Sequence, residues 1–204
     1  MTPKIYSSLM LAALTILFGC YPGGPEYVEQ YDIVYSNYDP TYDFVSKGTY
    51  SLPDKIVKIT GKENDPPAYV KDIYAVPMLQ KIDANMASLG WTKVDVSKNP
   101  DVQFLPAAWE STTIIYYGGG YWCWYYPYYC GGGWYYPYYP SYSSYSTGTL
   151  LMNMVDPALE SADGNKRVIW TGAINGLLSG TYSTTRVNNA IDQTFKQSPY
   201  LKTN

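Results

Sequence analysis

Histidine is absent from the whole 204-residue chain. That removes Ser-His-Asp and Cys-His nucleophiles and histidine-based zinc sites in one step. Basic tracts are missing as well. With 14 Lys and Arg against 17 Asp and Glu, the mildly acidic chain is unsuited to nucleic acid. No phosphate loop is present, because each Gly-Gly-Gly is followed by aromatics rather than by Lys-Ser/Thr at a helix start. The carboxylates Asp32, Asp39 and Asp43 are close in sequence. They flank turns, and the solvated-turn reading outweighs a general acid/base pair, which needs a pocket and a shifted pKa. No catalytic residue, metal site or cofactor is expected.

Long apolar runs are also scarce, and the one at the N-terminus is informative. Lys4 supplies a positive charge, and Leu9 to Phe18 has the length of a signal core rather than of a bilayer span. It ends in Leu17-Phe18-Gly19-Cys20, which resembles the lipobox of bacterial lipoproteins, where the cysteine is lipid-modified and becomes the first residue. The competing reading is a plain secretory signal with an incidental cysteine. Residues 1–19 are therefore read as a lipoprotein signal peptide and 20–27, with Pro22-Gly23-Gly24-Pro25, as a tether. Tyr21 follows the cysteine where aspartate would favour inner-membrane retention, so the expected location is the cell envelope, lipid-anchored at the outer membrane.

Only three cysteines occur. With Cys20 assigned to lipid, Cys123 and Cys130 remain as a candidate disulfide in an oxidising compartment. Metal binding by two thiolates alone is the weaker alternative, since the usual site needs three or four ligands. Charge vanishes between Ser111 and Val155. Within that span Trp-Tyr-Tyr-Pro-Tyr-Tyr occurs at 124–129 and again at 134–139, each copy after a triple glycine, at 118–120 and 131–133. Two copies are too few for a solenoid. Tyr126-Pro127 and Tyr136-Pro137 are candidate cis bonds. Residues 116–147 are read as an aromatic low-complexity insertion that should not be forced into regular structure.

The remainder alternates strand and helix signals. Val28–Asn37 places Tyr31, Ile33 and Tyr35 on one face of a half-buried strand. Phe44–Leu52 and Ile56–Ile59 are further strand candidates. The first helix lies within Lys71–Leu89, where Leu79, Ile82, Met86 and Leu89 recur at helical spacing, with Pro77 near its start and Gly90 as C-terminal cap. Val102–Leu105 and Thr112–Tyr117 predict two strands, or one broken near Pro106. Leu150–Val155, ending at Asp156-Pro157, and Val168–Ala173 predict a hairpin. A closing helix runs from about Ser183 to Gln197 on Val187, Ile191 and Phe195, stopped by Ser198-Pro199.

Three groups of residues carry a likeness: Asp43-Phe44 with Tyr50; Leu89-Gly90-Trp91 with Asn99-Pro100-Asp101-Val102; and Gly148-Thr149-Leu150-Leu151-Met152-Asn153-Met154-Val155-Asp156 with Val168-Ile169-Trp170-Thr171-Gly172 and Asn189-Ala190-Ile191. Together they resemble a family of bacterial lipoproteins known as domain of unknown function 4136, over residues 30–110 and 147–199. The resemblance implies no activity and transfers no catalytic residue. The element order independently predicts one α+β domain over 28–199: a mixed or antiparallel sheet with two helices packed on one face, plus the Tyr/Gly/Trp-rich loop insertion.

The expected function is a non-catalytic envelope role, structural or binding. Trp122, Trp124, Tyr126, Tyr128, Trp134, Tyr136 and Tyr138 form the candidate binding surface, because stiff amphipathic rings suit sugars, prolines or lipid headgroups. A glycan or an envelope protein would be the partner, beside the membrane reached through the lipid. Packing of these rings on each other or on the sheet edge, or a spacer role, takes precedence, since biased composition alone is weak evidence of a site. A lipid- or small-ligand-carrying periplasmic module is the alternative, and would need a pocket between sheet and helices.

Overall fold

The computed structural model describes residues 33–59, 68–109, 134–135, 148–160, 166–178 and 181–204. Within them nine strands form one mixed sheet: β1 (Ile33–Tyr38), β2 (Thr49–Ser51), β3 (Val57–Ile59), β4 (Ala68–Tyr69), β5 (Thr92–Lys93), β6 (Val102–Trp109), β7 (Trp134–Tyr135), β8 (Thr149–Glu160) and β9 (Lys166–Asn175). The main path is β1-β9-β8-β6-β2-β5. Its centre is antiparallel, β6 with β8 and β8 with β9. On the other flank of β6, β2 and β3 pair in succession, both parallel to it. Two helices, α1 (Asp72–Ser88) and α2 (Thr184–Lys196), pack on one face. The expected α+β layering is what the chain adopts.

β6 runs unbroken through Pro106, where two strands or a break were the sequence expectation. On its β2/β3 flank the pairing passes from Ser51 opposite Gln103 to Val57 opposite Ala107. The proline lies where one partner strand gives way to the next, an interruption of the kind at which a strand tolerates it. β8 likewise continues past Asp156-Pro157 to Glu160, with a register shift at Met154/Val155. Residues 39–48 are turns rather than the start of a strand. In β1 the face packed on the core carries Val34 and Tyr38, whereas Tyr35 is 42 % exposed. Side chains alternate between the two faces of a strand, so Tyr35 stands on the face opposite to Val34.

α1 buries Ala75, Met78, Leu79, Ile82 and Met86. Each large member contributes roughly 1.5–3 kcal/mol on leaving water. The helix ends in a Schellman motif: Trp91 N donates to Met86 O (3.1 Å) and Gly90 N to Ala87 O (3.1 Å), with Gly90 at φ 95°. α2 starts on Ser183, whose Oγ accepts from Arg186 N, and buries Val187, Ala190, Ile191, Thr194 and Phe195. Between helices and sheet, Phe104, Trp170 and Phe195 meet with ring centroids 5.6–6.3 Å apart. Trp170 Nε1 donates to Ser198 Oγ (3.0 Å). The domain closes beyond residue 199: Leu201 and Thr203 are buried, Trp91 Nε1 donates to Leu201 O (2.7 Å), and Thr203 N donates to Leu89 O (2.9 Å).

The opposite face of the central strands is buried too. Leu105, Ala107, Leu151, Val155 and Ala173 are at most 4 % exposed, and none belongs to the core beneath the helices. Polar residues lie among them, with Thr171 Oγ1 donating to Asn153 Oδ1 and Thr149 Oγ1 to Asn175 Oδ1 (2.8 Å). Burial on both faces explains why β6 and β8 read as continuous apolar runs rather than alternating ones.

Candidate functional site

The densest ionisable cluster lies where residues 39–49 turn beneath the sheet. Asp39, only 1 % exposed, forms an ion pair with Arg167 through Oδ2. Its Oδ1 accepts from Thr41 N (2.9 Å) and Thr41 Oγ1 (2.7 Å), and Arg167 also donates to Thr41 Oγ1 (2.6 Å). Asp39 is therefore a buried, paired carboxylate and not the solvated turn residue expected from sequence. Asp43 is exposed and does cap its own turn, with Ser46 N donating to Oδ1 (3.3 Å).

Two more carboxylates close on the same segment from other strands. Asp156 Oδ2 accepts from Tyr42 Oη (2.8 Å) and Lys47 Nζ (3.2 Å), and its Oδ1 from Ala158 N (2.8 Å). Burial, and then the hydrogen bond to Asp156, push the Tyr42 phenol far above its usual range. Asp101 Oδ2 accepts from Gly48 N (3.1 Å), Thr49 N (2.9 Å) and Thr49 Oγ1 (2.7 Å). Burial alone would raise the Asp101 carboxyl, but the Thr49 hydroxyl and the two amides outweigh it and hold it below the ordinary value. Every one of these carboxylates is already engaged. The arrangement pins a turn.

A separate open cleft of about 800 Å³ lies along the β2–β3 connection, lined by Leu52, Lys55, Tyr69, Lys93, Asp95 and Val96 among others. Lys55 Nζ sits 5.1 Å from the Tyr69 ring centroid. Lys93 pairs with Asp83 at 3.5 Å, and Asp83 accepts a hydrogen bond from Tyr50. Burial, then that bond, raise the Tyr50 phenol well above its usual range. Hydrogen bonds from the Ser97 side chain and amide keep the exposed Asp95 carboxyl low. Two lysines, Lys55 and Lys93, and two aspartates, Asp54 and Asp95, balance one another along its wall. Among the described residues no group of three or more His, Cys, Asp or Glu could hold a metal ion.

The expected binding residues fall mostly elsewhere. Cys20, Cys123, Cys130, Trp122, Trp124, Tyr126, Tyr128, Tyr136 and Tyr138 lie outside the described residues, as do both candidate cis bonds. Trp134 is placed by its backbone: with Tyr135 it forms β7, parallel to the start of β9, pairing Trp134 with Lys166 and Tyr135 with Arg167. Gly148 N donates to Trp109 O (2.7 Å), so the chain leaves β6 and rejoins β8 at one point. Between sheet and helices, where a carried ligand would sit, α2 approaches β9 closely at Gly172. A Cβ on Gly172 would stand 2.5 Å from Thr194 Cγ2 and 2.7 Å from Trp170 Cη2.

Comparison with known proteins agrees with this architecture. The family model described as domain of unknown function (DUF4136) matches residues 34–200. This chain belongs to the DUF4136 family. A crystal structure of a DUF4136 family protein from Bacteroides thetaiotaomicron is similar to it at 33% identity and a TM-score of 0.65, covering 84% of this chain and 97% of that one. No curated protein matches.

In this DUF4136 chain the residues that carried the sequence likeness have definable work. Asp101 holds Thr49, Gly90 caps α1, Gly172 admits α2, and Asp156 holds Tyr42. The sequence presents Asp39 as a turn carboxylate and Asp156 as the end of a strand, and gives no sign of Arg167; their meeting depends on pairing distant in sequence.

Proposed function

We propose that this DUF4136 chain is a non-catalytic lipoprotein of the bacterial cell envelope, anchored through Cys20 at the outer membrane. On this reading its aromatic segment makes a structural or binding contact with a glycan or envelope polymer. One observation carries the binding part: both ends of residues 110–147 are fixed at one place on a rigid sheet, by the Gly148–Trp109 hydrogen bond. Binding segments are commonly presented this way, held by a scaffold and rich in tyrosine and tryptophan. The engaged state of Asp39, Asp101 and Asp156 supports the non-catalytic part.

The lipid- or small-ligand-carrying alternative draws on the open cleft beside Tyr69, a concavity with room for a small molecule. Replacing Trp122, Trp124, Tyr126 and Tyr128 by serine tests the two roles of the segment. Loss of retention on envelope glycans at unchanged melting temperature supports binding. A lowered melting temperature with no retention by the parent chain refutes binding and leaves a packing role.

A further inference from the structure

The two helices differ on their outward faces. α2 shows water Thr184, Thr185, Asn189, Gln193 and Lys196, all polar. α1 shows Ile73, Val76, Gln80, Ala84 and Ala87, which share one stripe at spacings of three and four. No charge stands on that stripe. Its neighbours Lys81 and Asp83 are turned aside into pairs with Asp192 (2.7 Å) and Lys93 (3.5 Å). The apolar part is concentrated at the first turn: Ile73 is 72% exposed, Val76 43%, Tyr74 36%, and the nearby Tyr69 37%. A helix with apolar residues on its outer as well as its inner side calls for something to cover it.

The position of this corner in the fold says what covers it. β1 begins at Ile33, which pairs with Asn175 at the far end of β9. Gly176 O accepts from Arg186 in the first turn of α2 (3.0 Å), and Tyr182, just before α2, meets Tyr74 at 4.5 Å between ring centroids. The start of α1 thus lies at the end of the domain where the chain arrives from Cys20. Residues 20–33 reach at most about 45 Å even when fully extended. A second copy is the weaker occupant: a strip about 25 Å by 10 Å covers roughly 250 Å², against about 800 Å² per partner in a stable interface. A bilayer needs no such area, because a short tether keeps it at high effective concentration.

We propose that the corner formed by Tyr69, Ile73, Tyr74 and Val76 is the face by which the domain rests on the membrane carrying its own lipid. The inference depends on the anchored reading given above. Isoleucine and valine enter the acyl boundary, while the two tyrosines sit at headgroup level, where their apolar bodies and polar tips both find partners. Lys71 and Asp72 beside the patch offset one another, and Lys55 lies against the Tyr69 ring, so the apolar side chains carry the contact and Lys55 adds a part that salt screens.

The test uses the full lipidated chain with Cys123 and Cys130 changed to serine. It is reconstituted in phosphatidylethanolamine–phosphatidylglycerol vesicles, with or without brominated acyl chains. A fluorophore is attached at Ile73→Cys or at Val45→Cys, an exposed position in the turn beyond Tyr38, the end of β1 away from Ile33. Brominated lipid is expected to quench the label at 73 and spare the label at 45, with the quenching at 73 persisting at high salt. If the chain is vesicle-bound through an acylated Cys20 yet the label at 73 is not quenched, the inference falls and the anchored reading stands. Quenching abolished by salt overturns the apolar contact. Label-to-label contact between copies at 73 overturns it in favour of self-association. A chain that stays in solution with Cys20 unmodified overturns the anchor, and this inference with it.

Discussion

Gly172 is where the closeness of helix to sheet can be measured. A methyl group there would stand 2.5 Å from Thr194 Cγ2, 2.7 Å from Trp170 Cη2 and 3.1 Å from Met152 Cε. The methionine tip can swing away. The other two cannot move cheaply: Trp170 is 1 % exposed and held by Ser198, and Thr194 is fully buried on α2. Gly172→Ala must therefore shift α2 outward or force a side chain off its rotamer, at about 1–3 kcal/mol. For a domain of this size that corresponds to a fall in melting temperature of roughly 2–10 °C. Removing the offending methyl by Thr194→Ser should restore part of the loss in the double variant, with a coupling energy above about 0.5 kcal/mol. Thermal and urea unfolding of the four proteins supplies the cycle. A Gly172→Ala protein as stable as its parent, or a double variant showing no recovery, would refute the argument from close approach.

Other changes probe the remaining features. Leu105→Ala should cost about 2–5 kcal/mol in urea unfolding, as expected of a core position on the sheet face away from the helices; a cost below about 1 kcal/mol would show that face to be open. Arg167→Ala strands the buried Asp39 carboxylate. With the arginine side chain 28% exposed, the loss should fall toward the low end of about 3–5 kcal/mol, and near-neutral behaviour would contradict the pairing. The Asp101 carboxyl is depressed in the fold, so its contribution is complete above the unfolded value of about 3.9. It is lost as pH falls through the lower folded value. The stability gap between the parent and Asp101→Asn should therefore narrow below about pH 4, and a gap constant with pH would sink the assignment.

Much of the fold was legible because local signals and tertiary packing agree. Gly90 after an apolar stripe marked the end of α1, and Ser183 marked the start of α2, since each cap is a local hydrogen-bonding event. Elements failed to read where the deciding partner is remote. Pro106 looked like a break because its tolerance depends on the gap between β2 and β3. Alternation put Tyr35 on one face of β1 without saying which face is buried, and it is the exposed one. Asp39 looked solvated because its partner, Arg167, is distant in sequence and arrives on β9. The aromatic segment announced itself by composition, yet composition names no ligand, and of its candidate rings only Trp134 lies among the described residues, placed by its backbone.

Intact-mass and N-terminal peptide analysis of the protein recovered from bacterial membranes bears most directly on the whole account. The expected product begins at Cys20, carries a diacylglyceryl thioether on that sulfur and lacks residues 1–19. A full-length chain with a free Cys20 thiol, recovered from the cytosol, would contradict the envelope assignment.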